Sequence, residues 1–148
     1  MNDFTVRDGT PADVSAVYAL VRELAQFERA AHEVVTNPEV LLRDLEAGFY
    51  SLLLAEQDAQ VVGMMLYHRA YSTWKGRMLY LEDFCVAPQH RSIGIGQALW
   101  TELRSRAKQL GCTSIKWQVL AWNEGAIAFY KREGAQIEEG WLNGRLFI

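Results

Sequence analysis

Arg91-Ser92-Ile93-Gly94-Ile95-Gly96 places a fixed cation and two glycines between a largely apolar run, Leu79–Val86, and a helical pattern that begins at Gln97. A strand that enters a helix through such a loop leaves N–H groups at the helix start without carbonyl partners. Together with the positive end of the helix dipole, those donors suit a phosphate-bearing ligand. Gly94 and Gly96 carry no Cβ, so the backbone can approach an anion closely, and Arg91 adds a planar fork of donors. The pattern points to a pyrophosphate-containing cofactor. A P-loop reading fails because Gln97-Ala98 follows Gly96 where Lys-Ser/Thr is needed. A Rossmann reading fails because Leu99 holds the third small-residue position and the region around Lys116 is not acidic.

A second constellation lies downstream, Ala121-Trp-Asn-Glu-Gly-Ala-Ile-Ala-Phe-Tyr-Lys-Arg-Glu-Gly-Ala135. With it the chain resembles the GNAT acyl-CoA N-acetyltransferases, whose signature is Arg/Gln-x-x-Gly-x-Gly/Ala after a bulged strand, then an Asn and a Phe-Tyr-x-x-x-Gly-Ala run. Tyr80-Leu-Glu-Asp-Phe84, Trp122-Asn-Glu124, Phe129-Tyr-Lys-Arg132 and Glu23-Leu-Ala-Gln-Phe-Glu28 are similar to the diamine (spermidine/spermine) acetyltransferases and their thialysine-acetylating relatives. The resemblance covers nearly the whole chain. It implies acetyl-CoA as co-substrate, a small primary amine as acceptor and direct attack in a ternary complex, with no metal.

The resemblance also assigns residues. Backbone N–H groups of Phe84, Cys85 and Val86 would bind the pantetheine arm, which requires a bulge near Asp83 that neither Gly nor Pro marks. Arg91, Ser92, Ile93, Gly94, Ile95, Gly96 and Gln97 would hold the pyrophosphate, and Asn123, Ala126 and Tyr130 would also contact the cofactor. Phe27, Glu28, Glu33, Trp74, Glu82, Trp117 and Glu139 match positions at or near the amine site. Spaced carboxylates would attract an extended polycation, and aromatic faces would add cation–π contact. Glu28 and Glu33 also read simply as solvated acids after a helix end.

Chemistry sharpens two of these assignments. An alkyl ammonium has a pKa of about 10, so its proton must be removed before attack. Alternation along Leu79–Val86 puts Tyr80, Glu82 and Phe84 on one face and Leu81, Asp83 and Cys85 on the other. Glu82 is therefore the proton acceptor, an edge charge, or half of a structural ion pair with Arg77 or Lys116. Tyr130 reads from its residues alone as a core aromatic, whereas the resemblance makes it the acid that protonates the leaving thiolate. Asn123 suits a helix N-cap. His90, just before the loop, is either a phosphate contact or a solvated histidine.

These residues need elements to hold them. Phe4 and Val6 begin a strand. Thr10-Pro11 starts a helix running towards Glu28, and Asn37-Pro38 starts another that ends at Gly48. Strands follow over Tyr50–Gln57, Gln60–Tyr71 and Arg77–Val86, then a helix to Leu110, a strand over Ser114–Leu120 and a helix over Glu124–Glu133. Gln136–Leu142 and Arg145–Ile148, around Asn143-Gly144, read as a terminal hairpin. The order β-α-α-β-β-β-α-β-α-β-β is an α+β arrangement with a mixed, mostly antiparallel central sheet flanked by helices, consistent with the GNAT fold.

The 148 residues suit a single domain, 1–148, with a core that needs no disulfides. A net charge of −3 argues against nucleic acid as the main partner. Cys85 and Cys112 match no metal or redox spacing, and His32, His68 and His90 form no ligand pattern. The start of the chain has no basic-then-apolar leader and no run reaches membrane length, so a cytoplasmic location without membrane contact is expected. A homodimer is expected from the resemblance. The diamine acetyltransferases continue beyond the position of Ile148, so their last contacts are expected to be altered here. The other readings are a protein-lysine acetyltransferase, which would want an open groove, and a catalytically silent acyl-CoA-binding module, which the presence of Tyr130 and Glu82 disfavours.

Overall fold

The computed structural model describes residues 3–148. Met1 and Asn2, on which part of the leader reading fell, lie outside the described residues. The elements are β1 (Thr5–Asp8), α1 (Val14–Phe27), α2 (Pro38–Glu46), β2 (Ser51–Gln57), β3 (Gln60–Ser72), β4 (Gly76–Val86), α3 (Ile95–Gln109), β5 (Ser114–Trp117) and α4 (Glu124–Arg132). They fall into two units, one up to Trp117 and one from Gln118 to Ile148.

In the first unit the strands lie in the order β1-β2-β3-β4-β5. Neighbours are antiparallel as far as β4, and β5 runs parallel to β4, so the sheet is mixed and the α+β class holds. The cap signal at Asn37 acts as read, its side chain accepting from the Val40 N–H at 2.9 Å, whereas Thr10-Pro11 opens a 3-10 turn, Pro11–Asp13, ahead of α1. Asp58 and Ala59 join β2 to β3 with both φ values positive, 51° and 61°, the backbone a two-residue turn requires between twisted strands. On one face of the sheet Leu52, Leu54 and Met64 pack with Val17 and Leu20 of α1. Their alternates Leu53 and Met65 are equally buried, as strands covered on both faces must be. The second face is covered by α3, which contacts β2, β3 and β4.

An ion cluster braces the first strand. Arg7 donates to Asp13 through both terminal nitrogens, at 2.8 and 2.9 Å, and to Glu56. The Arg7 guanidinium lowers the Asp13 carboxyl from 3.8 to about 2. The pKa is depressed in the folded state, so this contribution to stability is complete above the unfolded pKa and is lost as pH falls through the folded one. Thermal unfolding followed from pH 5 to about pH 2 should therefore show a steep loss of stability that is shallower in Asp13→Asn.

Two features depart from expectation. The alternation assumed along β4 is broken: Leu81 pairs with Tyr67 and Asp83 with Leu66, so Glu82 is an extra residue in a bulge. Tyr67 and Leu66 point to opposite faces, and so do Leu81 and Asp83. The bulge implied by the resemblance is present, and Asp83 and Cys85 lie on the α1 face.

The other departure is at the end of the chain. In the second unit Asn123 caps α4 and Gly134 follows it with φ 88°, but no strand forms after Trp117 among the described residues. The expected hairpin needs positive φ at both Asn143 and Gly144, and neither has it. The Asn143 side chain instead accepts a hydrogen bond from Gln118. A lone two-stranded hairpin is marginal in water, and Trp141, Leu142, Leu146 and Phe147 are exposed.

Candidate active site

α3 begins at Ile95, two residues before the helical pattern in the sequence, with Gly94 as its N-cap at φ 92°. The first intrahelical bond there runs from Ala98 N–H to the Gly94 carbonyl, so the N–H groups of Ile95, Gly96 and Gln97 have no acceptor within the helix. Arg91, Ser92, Ile93 and Gly94 are exposed and Ile95 is buried, so the loop is anchored at one end and open to a ligand along its length. Ser92 holds φ 66°, a left-handed conformation that costs a non-glycine residue about 1–2 kcal/mol. A Cβ at Gly94 would meet nothing within 4 Å, so its backbone angle is what calls for glycine.

Arg91 Nε donates to the Val86 carbonyl at 3.0 Å, which turns the guanidinium back along β4 and leaves its terminal nitrogens available for an anion. Gly63, which the motif reading passed over, sets the helix position. A Cβ there would lie 3.0 Å from Ile95 Cγ2 and 3.3 Å from Leu99 Cδ1, so glycine lets the start of α3 lie against β3. Its signal in the sequence is an isolated glycine inside a strand. These features fit a pyrophosphate group.

Beside the loop, a cleft of about 120 Å³ is lined by Leu20, Glu23, Leu24, Phe27, Cys85, Val86, Pro88 and Arg91. It opens on the α1 face of β4. β5 pairs with β4 only from Met78↔Ser114 to Leu81↔Trp117, so among the described residues no strand accompanies Phe84, Cys85 and Val86 on that side, as an extended arm bound along β4 would require.

Burial pushes the Cys85 thiol up to about 12, with smaller contributions from Asp83 and Glu23. It is a thiol at neutral pH and no nucleophile. Burial also raises the Asp83 carboxyl from 3.8 to about 6, reinforced by Glu82 and then Glu28. Glu28 is raised by its own burial. Among the described residues none of Glu28, Glu82 and Asp83 is ion-paired, so the pairing considered for Glu82 with Arg77 or Lys116 is not formed. Glu82 is exposed on the bulge, and Asp83 is the carboxylate turned to the cleft face. Strict alternation hid Asp83, and only the bulge reveals it.

The structure brings Glu28 together with Glu82 and Asp83, and Phe27 lines the adjacent cleft. His68 stacks on Tyr80 at 5.3 Å, extending the same face of β4 away from the loop. Glu33 is exposed in a 3-10 turn, and Trp74 is exposed at the β3–β4 turn. Trp117 packs edge-on against Trp100 of α3 at 5.1 Å, on the face opposite Asp83. Glu139 is an exposed residue of the second unit. In that unit the Asn123 side chain accepts from Ala126 N–H at 3.2 Å, which confirms its cap role. Tyr130 is only 7% exposed, and its ring meets Phe129 edge-on at 5.7 Å.

The sequence matches the acetyltransferase (GNAT) family profile over residues 16–135. The chain belongs to the GNAT acetyltransferase family. A mouse thialysine N-epsilon-acetyltransferase is 39% identical to this GNAT chain over 95% of it and 90% of the relative. A human spermidine/spermine N(1)-acetyltransferase-like protein 1 is 31% identical over 95% of this chain, which spans 22% of that longer protein. In fold, a crystal structure of an aminoglycoside acetyltransferase from an uncultured soil metagenomic sample superposes with a TM-score of 0.82. It is 17% identical and covers 99% of this chain and 97% of its own. GNAT acetyltransferases use acetyl-CoA.

Proposed function

We propose that this GNAT enzyme acetylates a primary amine of a small polycation or lysine-like amino acid, with spermidine-type polyamines and thialysine as the acceptor classes. The observation that carries the reading is the set of three carboxylates, Glu28, Glu82 and Asp83, brought together near the cleft and, among the described residues, ion-paired to no cation. Like charges crowded into a partly buried place are unfavourable until a cation arrives, and an alkyl ammonium is such a cation. The names of the relatives support the same acceptor classes.

Acetyl-CoA, when bound, supplies an activated acetyl thioester. Arg91 and the N–H groups of residues 95–97 would hold it, with Asn123 as the family likeness implies, and the backbone of Phe84, Cys85 and Val86 would orient its arm. Asp83 accepts the ammonium proton at the cleft face, with Glu82 as its exposed partner towards water. As the free amine bonds to the acetyl carbonyl carbon and the C–S bond breaks, Tyr130 would give its proton to the departing thiolate. The high pKa of Cys85 supports direct transfer over a covalent Cys route. The same reading takes both units as one domain, supported by a family match that spans residues 16–135. It also includes a homodimer, supported by the exposed apolar residues of the tail, and a cytoplasmic location, supported by the two free cysteines.

The test is kcat/KM across spermidine, putrescine, thialysine and a plain alkylamine. Acceptors with a second cationic group should lead, and Glu28→Gln should raise KM for spermidine more than for the alkylamine, because only the distant charge loses its partner. If the alkylamine is turned over as well as spermidine and Glu28→Gln treats both alike, the polycation reading fails.

A further inference from the structure

His90 Nδ1 lies 2.8 Å from Gln57 Oε1, a contact between residues 33 apart in sequence. An amide oxygen only accepts, so the imidazole donates through Nδ1 and that nitrogen carries the proton. Gln57 is the last residue of β2, next to the tight turn at Asp58-Ala59. Its neighbour Glu56 is held by Arg7, which is itself clamped by Asp13. The end of the β2–β3 hairpin is therefore a braced point.

His90 closes the 3-10 turn Pro88–His90 and directly precedes Arg91. That turn leaves the sheet at Ala87, whose N–H donates to the Val62 carbonyl at 2.8 Å. The start of the turn is thus fixed by the backbone of β3 and its end by a side-chain bond to β2. Between the His90 ring and the strained Ser92 there is only Arg91. A half-buried histidine bonded to an amide is not the solvated loop residue considered for it from sequence.

We infer that His90 and Gln57 form a positioning pair that holds the Arg91–Gly96 loop in its phosphate-binding shape, so that co-substrate affinity depends on a hydrogen bond made away from the co-substrate. The inference rests on the reading of this loop as the acetyl-CoA pyrophosphate cradle. A pair of this kind acts on binding before chemistry. Its loss raises Kd for CoA and KM for acetyl-CoA, and leaves KM for the amine and kcat near their original values.

The test is a double-mutant cycle on CoA affinity by titration calorimetry, with His90→Ala, Gln57→Ala and the double variant. Thermal unfolding is measured alongside to confirm that each is folded. Each single change should weaken CoA binding by about two- to twelvefold, the worth of one neutral hydrogen bond, and the double variant should be no weaker than the singles. His90→Asn, whose amide N–H can stand where Nδ1–H stood, and Gln57→Glu, which keeps the acceptor, should both bind CoA close to wild type. Amide exchange at residues 91–97 should rise in the Ala variants and not in the conservative pair. Folded Ala variants with unchanged CoA affinity, or losses that simply add, would overturn the positioning role. Wild-type protein that fails to bind CoA at all would overturn the reading of the loop itself.

Discussion

Tyr130→Phe is expected to lower kcat by roughly 10²–10⁴-fold, the usual worth of a positioned acid. A departing CoA thiolate has a conjugate thiol near a pKa of about 8.5, close enough to a phenol of about 10 for proton transfer to be productive when the two are held together. Phe retains the ring, and with it the edge-on contact to Phe129 and the burial that the ring contributes to α4. Stability and KM for acetyl-CoA should therefore change little while turnover collapses. Initial rates at saturating acetyl-CoA, with thermal unfolding of the same sample, separate the two roles. Full turnover in the variant would leave Tyr130 as a core aromatic and nothing more.

Asp83→Asn should cost roughly 10³-fold in kcat/KM at pH 7, because an amine of pKa about 10 is unprotonated to only about one part in a thousand there. The free enzyme holds this carboxyl up at about 6, and kcat/KM reports free-enzyme groups. In wild type kcat/KM should rise as pH passes through 6, where Asp83 becomes able to accept a proton, and then level off. The Asn variant should show no break there and should climb about tenfold per pH unit towards the pKa of the amine, recovering in alkali what it lost at neutrality. Glu82→Gln removes a neighbour that raises Asp83, so it should shift the break to lower pH and keep most of the rate. The opposite ranking, with Glu82→Gln the more damaging and the break near 6 intact in Asp83→Asn, would make Glu82 the acceptor.

Much of this was legible in the chain itself, for physical reasons that differ by residue. Asn37-Pro38 and Asn123 announced helix starts because their side chains satisfy N–H groups a few residues on, a purely local arrangement. The loop into α3 was legible because a helix entry with a left-handed N-cap calls for glycine, and Gly94 stands there at φ 92°. The bulge at Glu82 was not, since an extra residue between Leu81 and Asp83 shows only against the partner strand. The family likeness implied a bulge, yet strict alternation still grouped Asp83 with Leu81 and apart from Tyr80, whereas Asp83 and Leu81 face opposite ways. Asn143-Gly144 misled in the other direction: a strong local turn signal was overridden where the flanking segments found no sheet to join. The His90–Gln57 contact joins two segments with no shared periodicity, so no pattern in the sequence could have paired them.

The bulge has a further consequence. Without Glu82, Leu81 and Asp83 would still face Tyr67 and Leu66, and every later pairing from Phe84↔Met65 to Val86↔Gly63 would stand unchanged. The extra residue contributes nothing to strand registration and interrupts an otherwise continuous ladder. A chain shortened by that one residue would be the better-behaved sheet protein, more regular and harder to unfold, with Leu81, Asp83 and Phe84 on alternate faces as the ladder demands. The natural length of β4 is thus a compromise in which a small surrender of robustness keeps two adjacent acids beside the cleft.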